Sequence, residues 1–291
     1  MSWFSVRCVL SACAVILSIA LLADPSLPQE VVMADKPDLE APDVIVSATK
    51  TEMPAKQVTS AVEVITGEDL QQRKIRTVAE ALRWASGLAV FQSGGLGTTV
   101  GVRMRGGTPQ QTLVLIDGAI VNSATDGSYD FANLTSDNIE RIEILRGSQS
   151  MLWGSDAMGG VINITTKRGR EKPNISGFVE YGSFNTIREG GSLSGKKGPI
   201  DFSGSITRLD TAGFSAINYR RGAAERDGYH NWQGSVRLGA DLPKNGRLEF
   251  SFRWLNGRVN FDGFGFNPTT FASDPADVFG ARSRNTQYVF A

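Results

Sequence analysis

The residues best placed to do chemistry in this 291-residue chain are few. "GSDAMGGV", Gly154 to Val161, has the outer frame of a phosphate-binding loop, with Gly154 and Gly159 correctly spaced. Gly160 and Val161 stand where that loop needs Lys and Ser or Thr to reach the terminal phosphates and Mg²⁺, so no nucleotide site follows. "GLGTTVG", Gly95 to Gly101, misses the dinucleotide fingerprint by one residue. His230 is the only histidine, so a Ser-His-Asp triad or a histidine-rich metal site would rest on this one residue, at the outer end of an alternating strand. No catalytic residue, cofactor or metal site emerges. The chemistry left to explain is that of charged strands around a glycine-rich loop, "IERIEILRGSQSMLWGSDAMGGVINITTKRG".

Composition narrows the remaining classes. Lys+Arg and Asp+Glu are equal at 30 each, so no basic excess argues for nucleic acid and no acidic tail for disorder. The 32 glycines exceed the usual share of roughly 7%, which favours strands and turns. Val9 to Ala23 is the one long apolar run. It follows Arg7, falls short of the roughly 18 to 20 residues of a spanning helix, and leads to small residues. Residues 1–34 are therefore predicted to be a secretory signal peptide, cleaved after Ala23 or after Val32-Met33-Ala34. Leu10-Ser11-Ala12-Cys13 resembles a lipobox, but the apolar run continues past the cysteine. Cys8 and Cys13 leave with the peptide, and a cysteine-free mature chain suits an oxidising compartment.

The elements that must position any site come next. Residues 35–60 read as a polar linker holding one extended stretch, Asp43, Val44, Ile45, Val46, Ser47 and Ala48. As a free strand it offers its backbone to a partner's sheet edge; an ordinary flexible linker is the other reading. Residues 61–169 read as a small α+β domain. Val62 to Ile65 is a strand, and Thr66 with Asp69 has capping-box spacing. In "TVAEALRWASG", Thr77 caps, Glu80 closes the box, Val78, Leu82 and Ala85 recur at helical spacing, and Gly87 supplies a left-handed stop. Strands follow in "VGVRMRG", "TLVLIDG", "IERIEIL" and "GVINITT". The glycines among them are architectural, opening backbone conformations closed to other residues and letting strands approach a wall closely.

From Asn174 the period changes to strict alternation. Trp232, Gly234, Val236, Leu238 and Ala240 face away from Asn231, Gln233, Ser235, Arg237 and Asp241; Leu248, Phe250, Phe252 and Trp254 oppose Arg247, Glu249, Ser251 and Arg253; Ile200, Phe202 and Ile206 oppose Asp201, Ser203, Ser205 and Thr207. "GKKGP" and "PKNG" are tight turns, whereas Asp210 to Tyr229 and Gly257 to Ser283 are long loops. This asymmetry belongs to outer-membrane barrels, with Trp232 and Trp254 in the aromatic girdle at one rim. A soluble antiparallel sandwich also alternates, without calling for a tryptophan rim. "QYVFA" ends inside a sixth strand, and six strands do not close a barrel around a domain, so the sequence reads as a fragment.

Taken together, "DVIVSATKTE", "VEVITGEDLQQ", "VAEALRWASGLAV", "VRMRGG", "TLVLIDG", "IERIEILRGSQSMLWGSDAMGGVINI" and the barrel pattern resemble a TonB-dependent outer-membrane receptor, most similar to the cobalamin and colicin I receptor group. The chain departs from the usual form at Ser148, where proline commonly follows Arg-Gly, and at Trp153, where tyrosine is frequent. The resemblance implies an α+β plug at 61–169, followed over 170–291 by the first transmembrane antiparallel strands of a 22-stranded β-barrel. It implies an outer-membrane location in a Gram-negative-type cell, lipid contact, and energy-coupled uptake of a metal chelate, a ferric siderophore or a cobalamin-like ligand. Asp43 to Ala48 become a TonB box pulled by TonB with ExbB and ExbD. Plug-structural roles fall to Arg103, Arg105, Gly106, Asp117, Gly118, Arg146, Gly147, Gly154, Gly159 and Gly160. Ligand contacts fall to Gln92, Ser93, Thr98, Thr99, Asn122, Asp126 and Tyr129, on two outward loops. Arg103 and Arg105 are expected to pair with the barrel wall. Arg141 and Glu143 are expected to face that wall opposite Ile142 and Ile144. "INYRRGAAERDGYHN" aligns loosely with the calcium loop of cobalamin receptors but offers only Glu225 and Asp227, too few for an ion wanting six to eight oxygens, and no metal is assigned. A passive porin or adhesin barrel, and a soluble plug-only module, are the readings from other classes.

Overall fold

The computed structural model describes residues 60–170, 172–215, 226–244, 246–261 and 282–291, with the backbone of Val44–Ile45, Met53–Pro54, Gly263–Asn267 and Ala272–Ala276. The expected signal peptide, and Asp43, Val46, Ser47, Ala48 and Glu225, lie outside the described residues. Strand β1 (Val44–Ile45) pairs antiparallel with β2 (Met53–Pro54), so these two residues are not free.

β3 (Ala61–Thr66) runs directly into α1 (Gly67–Gln72). Thr66 Oγ1 accepts from Asp69 N at 3.1 Å and Asp69 Oδ2 accepts from Thr66 N at 2.9 Å, the complete reciprocal box. The Thr66 hydroxyl and amide, both donating to Asp69, hold its carboxyl below the ordinary carboxylate range. α2 (Val78–Trp84) differs in detail from its sequence signals. Thr77 Oγ1 caps the Glu80 amide at 3.2 Å, but Glu80 reaches back to Arg76 N at 3.0 Å rather than to Thr77. The helix stops at Ala85, which is already extended; Gly87, at φ +70°, turns the chain two residues later.

The hairpin β4 (Leu88–Gln92) and β5 (Val100–Met104) follows, then β6 (Thr112–Ile116), β7 (Ala119–Ile120), β8 (Ile139–Arg146), the single turn α3 (Ser150–Trp153) and β9 (Gly160–Thr166). The main sheet has the order β3-β8-β9-β6-β7, with β6 and β9 its one parallel pair. Ile142 and Ile144, with Val114, Ile116, Ile162 and Ile164, pack one face of the sheet against Leu70, Val78, Leu82 and Phe131. Leu113, Leu115, Leu145, Ala157 and Val161 form a smaller cluster on the other face. β6 and β9 are buried along their whole length, which is why they read as near-continuous apolar runs rather than alternating ones. Arg141 and Glu143 leave β8 on the face opposite Ile142 and Ile144. Glu143 is fully buried there and accepts from Arg141 Nε at 2.6 Å and Asn163 Nδ2 at 3.2 Å, since a buried carboxylate needs donors at hand.

A second, wholly antiparallel sheet contains β10 (Asn174–Gly182), β11 (Thr186–Lys197), β12 (Ile200–Thr211), β13 (Tyr229–Leu242) and β14 (Gly246–Asn260). The hairpin β15 (Gly263–Asn267) and β16 (Ala272–Ala276) lies in the next loop, and β17 (Arg282–Phe290) pairs with β14 as the sixth strand. Alternation holds along the strands. Asp201, Ser203, Thr207, Asn231, Gln233, Ser235, Arg237, Ser251 and Arg253 are buried, while Ile206, Trp232, Val236, Leu238, Leu248 and Phe250 are exposed on the other face. The short-long alternation of connections fails at one place. β10 and β11 join through only Ser183–Asn185, where Phe184 and Asn185 take left-handed φ of +58° and +53°.

Candidate functional site

The polar face of the second sheet lies against the α+β domain, and the seam is stitched by directional hydrogen bonds. Thr135 N donates to Gln233 Oε1 at 3.1 Å and Asn138 Nδ2 to Ser235 Oγ at 2.8 Å. The Tyr229 hydroxyl donates to Asn133 Oδ1 at 2.9 Å, and Asn231 Nδ2 to the Asn133 carbonyl at 3.0 Å. Gly257 faces the same asparagine, and a Cβ there would strike Asn133 Oδ1, so the glycine sets how closely the domain approaches the wall. At the other end of the seam, Arg237 Nη1 donates to Asp117 Oδ1 at 2.9 Å and to the Thr166 carbonyl at 2.8 Å, while its Nη2 meets Glu249 at 3.0 Å. Asp117 also accepts from the Thr166 amide and hydroxyl, each at 2.8 Å. Asp117 and Gly118, at φ +50° and +88°, form the β6–β7 turn that carries this carboxylate. Arg253 enters the seam from β14, almost wholly buried and without a hydrogen-bond partner among the described residues.

Backbone hydrogen bonds close the glycine-rich loop on itself and on Gln111. Gly147 N donates to Gly159 O at 3.0 Å, Gln149 N to Ala157 O at 2.9 Å and Gly159 N to Gln111 O at 2.8 Å. Gly154 and Gly160, at φ +85° and +151°, turn the chain into β9. These bonds hold the loop as a reversal. Arg146 pairs with Glu63 across β3 and β8. Arg103 stacks on the Phe91 ring at 5.0 Å, and the guanidinium of Arg105, beside Gly106 in the turn after β5, lies against Gly147. Neither makes an ion pair with the described wall strands; what they touch is Phe91 and Gly147.

The seven expected ligand residues part company. A cleft of about 870 Å³ lies between the β4–β5 turn and the ends of β10 to β12, lined by Gln92, Gly94 to Gly97, Arg83, Glu180, Tyr181 and Phe214 among others. Gln92 borders it, with Nε2 on Gly95 O at 2.6 Å and Oε1 on Arg83. Ser93, Thr98 and Thr99 belong to the same turn, where Ser93 N donates to Thr99 O and Thr98 Oγ1 to Gly95 O. Asn122 is occupied elsewhere, accepting from Val114 N and donating to Thr112 O and Gly127 O. Asp126 sits exposed on the 123–128 turn, its carboxyl held below the ordinary range by the Ser123 and Ser128 hydroxyls. Tyr129 is removed from the set. It is buried edge-on against Phe131 in the main core, and burial pushes its hydroxyl pKa far up.

Arg76, Arg83 and Glu180 were not singled out from sequence. Arg76 Nε meets Glu180 at 2.9 Å, Arg188 Nη1 meets the same carboxylate at 2.9 Å, and Arg188 also pairs with Asp137. The one available signal was the alternation of "NISGFVEYG", which puts Phe178 and Glu180 on the face opposite Ile175, Val179 and Tyr181.

Residues 54–161 match the family described as TonB-dependent Receptor Plug Domain. The chain carries a TonB-dependent receptor plug domain. The match includes β3 to α3 and the turn that carries Asp117. Vitamin B12 transporter BtuB of Photobacterium profundum is 33% identical over 243 residues, 83% of this chain and 39% of that protein. The ferripyoverdine receptor of the outer membrane of Pseudomonas aeruginosa shares the fold with a TM-score of 0.67 over 85% of this chain and 33% of its own, at 16% identity. The siderophore receptor PirA from Acinetobacter baumannii gives 26% identity and a TM-score of 0.52 over 68% of this chain and 31% of its own. The chain thus spans about two fifths of the curated relative's length. The expected fold class, a plug followed by antiparallel barrel strands, is that of these receptors. Among the described residues no helix is long and apolar enough to cross a membrane, and no group of three or more His, Cys, Asp or Glu could hold a metal ion.

Proposed function

We propose that this chain belongs to an outer-membrane receptor that imports a scarce metal chelate, a ferric siderophore or a cobalamin-like ligand, by energy coupling through TonB with ExbB and ExbD. The observation that carries the reading is the seam: a plug domain seated by buried hydrogen bonds on the polar face of a sheet whose other face is apolar and rimmed by aromatics. Such a sheet suits lipid on one side and a hydrated, plugged lumen on the other. A stopped lumen cannot pass ligand by diffusion, and the outer membrane holds no nucleotide supply, so work must arrive from a partner. Val44–Ile45 are extended and paired with Met53–Pro54; in this reading they exchange that pairing for the partner's sheet edge.

The cleft beside Gln92 and Arg83 is the ligand-facing surface in this reading. The relatives named for vitamin B12 and for ferripyoverdine support both chelate classes. Growth of a receptor deletion strain on ferric siderophores, haem and cobalamin, with and without a working TonB, tests the proposal. Restored growth on one chelate that vanishes with TonB supports it. Uptake that persists without TonB would indicate a passive pore, and a gene product that stays soluble through detergent fractionation would indicate a plug-only module.

A further inference from the structure

The register places six side-chain rows on the outward face of the second sheet. Lowest are the apolar rows Ile200–Ala240–Leu248, Phe202–Leu238–Phe250 and Gly204–Val236–Phe252–Phe290. Ile206–Gly234–Trp254–Tyr288 adds the aromatic row, and Trp232 stands one row higher, over the Arg208 guanidinium at 5.3 Å. Above it the row reads Asp210–His230–Arg258–Arg284, and Arg282 follows one step further along β17. Rows two residues apart are separated by about 7 Å along the strand, so Arg258 and Arg284 sit one row above Trp232 and two above Trp254 and Tyr288.

The two halves of this rim differ in charge. On the β11–β13 side it neutralises itself: Arg208 meets Glu189 at 3.4 Å and also pairs with Asp210, and His230 Nδ1 meets Asp210 at 2.9 Å. On the β14–β17 side Arg258 and Arg284 are direct cross-strand partners, both exposed, with Arg282 beside them. Among the described residues none of the three has a carboxylate partner, and Arg284 makes only a 3.3 Å bond to the Asn256 side-chain oxygen. Like charges directly opposite one another are destabilising unless an anion lies between them. Guanidinium forks match phosphate oxygens in pairs, and aromatic girdles mark headgroup depth.

We infer that Arg258, Arg284 and Arg282 form an outward-facing binding site for the phosphate of a membrane lipid headgroup at the rim of the barrel. The inference rests on the receptor reading above, because it needs this face to meet lipid.

The test uses the complete gene product in mild detergent, titrated with a bisphosphorylated lipid A and, separately, with its dephosphorylated form, by native mass spectrometry. Wild type should bind the phosphorylated probe more tightly, and R258Q/R284Q should bind it roughly thirtyfold more weakly, with two surface cations lost. Equal binding by wild type and variant would overturn the inference, as would displacement of the lipid by millimolar inorganic phosphate, which would mark a site for soluble anions. TonB-dependent growth on the chelate is measured in parallel. If it is intact in R258Q/R284Q while lipid binding is unchanged, the lipid site fails and the receptor reading stands. If wild type neither enters the membrane nor supports uptake, the receptor reading itself has failed.

Discussion

Replacing Arg237 tests whether the seam is a true anchor. Its side chain and that of Asp117 are each only 6% exposed, and the guanidinium bridges the plug turn, the end of β9 and Glu249 on the wall. R237M keeps the volume and removes the charge. Glu249 retains Arg168 and Arg247, but Asp117 loses its paired guanidinium and keeps hydrogen bonds from the Thr166 amide and hydroxyl, with the Arg253 charge nearby. Stripping one partner from a buried pair costs about 3 to 5 kcal/mol, and the two surviving bonds place this case near the lower figure. About 3 kcal/mol corresponds to roughly 150-fold faster amide exchange from local opening. The assay is hydrogen exchange by mass spectrometry on the complete protein in detergent, following peptides that cover 112–120 and 160–166. R237M/D117N should recover part of the loss, because the orphaned charge is gone. Exchange within about threefold of wild type in R237M would refute the reasoning, since a pair that matters to the seat cannot be removed without loosening it.

V44P removes a backbone donor from the stretch assigned to TonB and should abolish chelate uptake while leaving chelate binding to cells unchanged, as read by radiolabelled ligand; normal uptake would remove the assignment. G257A forces a methyl group against Asn133 and should weaken its bond with Tyr229, costing about 1 to 3 kcal/mol in stability and speeding amide exchange over 131–138; an unchanged melting curve and exchange pattern would show that the wall can retreat. Burial raises the Asp130 carboxyl pKa above its ordinary value of 3.8, while its Oδ1 accepts from Val100 N at 2.9 Å and Ala132 N at 3.0 Å. The folded state therefore holds the proton longer than the unfolded chain, and stability falls as pH rises from 3.8 through the raised pKa. D130N keeps an oxygen for both amides and should lose that pH dependence, matching or exceeding wild type at neutral pH in denaturant titrations; a slope equal to wild type would contradict this.

Much of this architecture could be read from short-range rules. Thr66 and Asp69 announce α1 because a capping box satisfies two backbone donors within four residues, and the alternation along Tyr229–Leu242 announces its two faces because a strand's period is two. What escaped the sequence is set by contacts distant along the chain. The burial of Glu143 in "IERIEIL" depends on Asn163, on a strand after an intervening loop, which supplies one of its donors. Tyr129 reads as loop chemistry beside Gly127 and Ser128, yet it packs on Phe131 because the returning segment enters the core. Arg76 and Glu180, about a hundred residues apart in sequence, meet only when the first wall strand docks on the plug. The hairpin β15–β16 lies inside a stretch that read as an uninterrupted loop, since Gly263–Asn267 and Ala272–Ala276 alternate too briefly to separate from turn chemistry.

The wall strands answer to two solvents at once, and this explains why their alternation is so regular. On β14, Phe250, Phe252 and Trp254 point outward while Ser251, Arg253 and Leu255 point to the plug. Shifting the pairing by one residue would turn Arg253 toward lipid and Phe252 into the polar seam, so neither environment could relax the error for the other. On β13 the same parity fixes Gln233, Ser235 and Arg237 against three separate plug positions: Thr135, Asn138 and Asp117. A plug held only by nonspecific hydration would not need that spacing. Correct seating of the plug and correct registration of the wall are therefore one specification, written in alternate residues of the same strands.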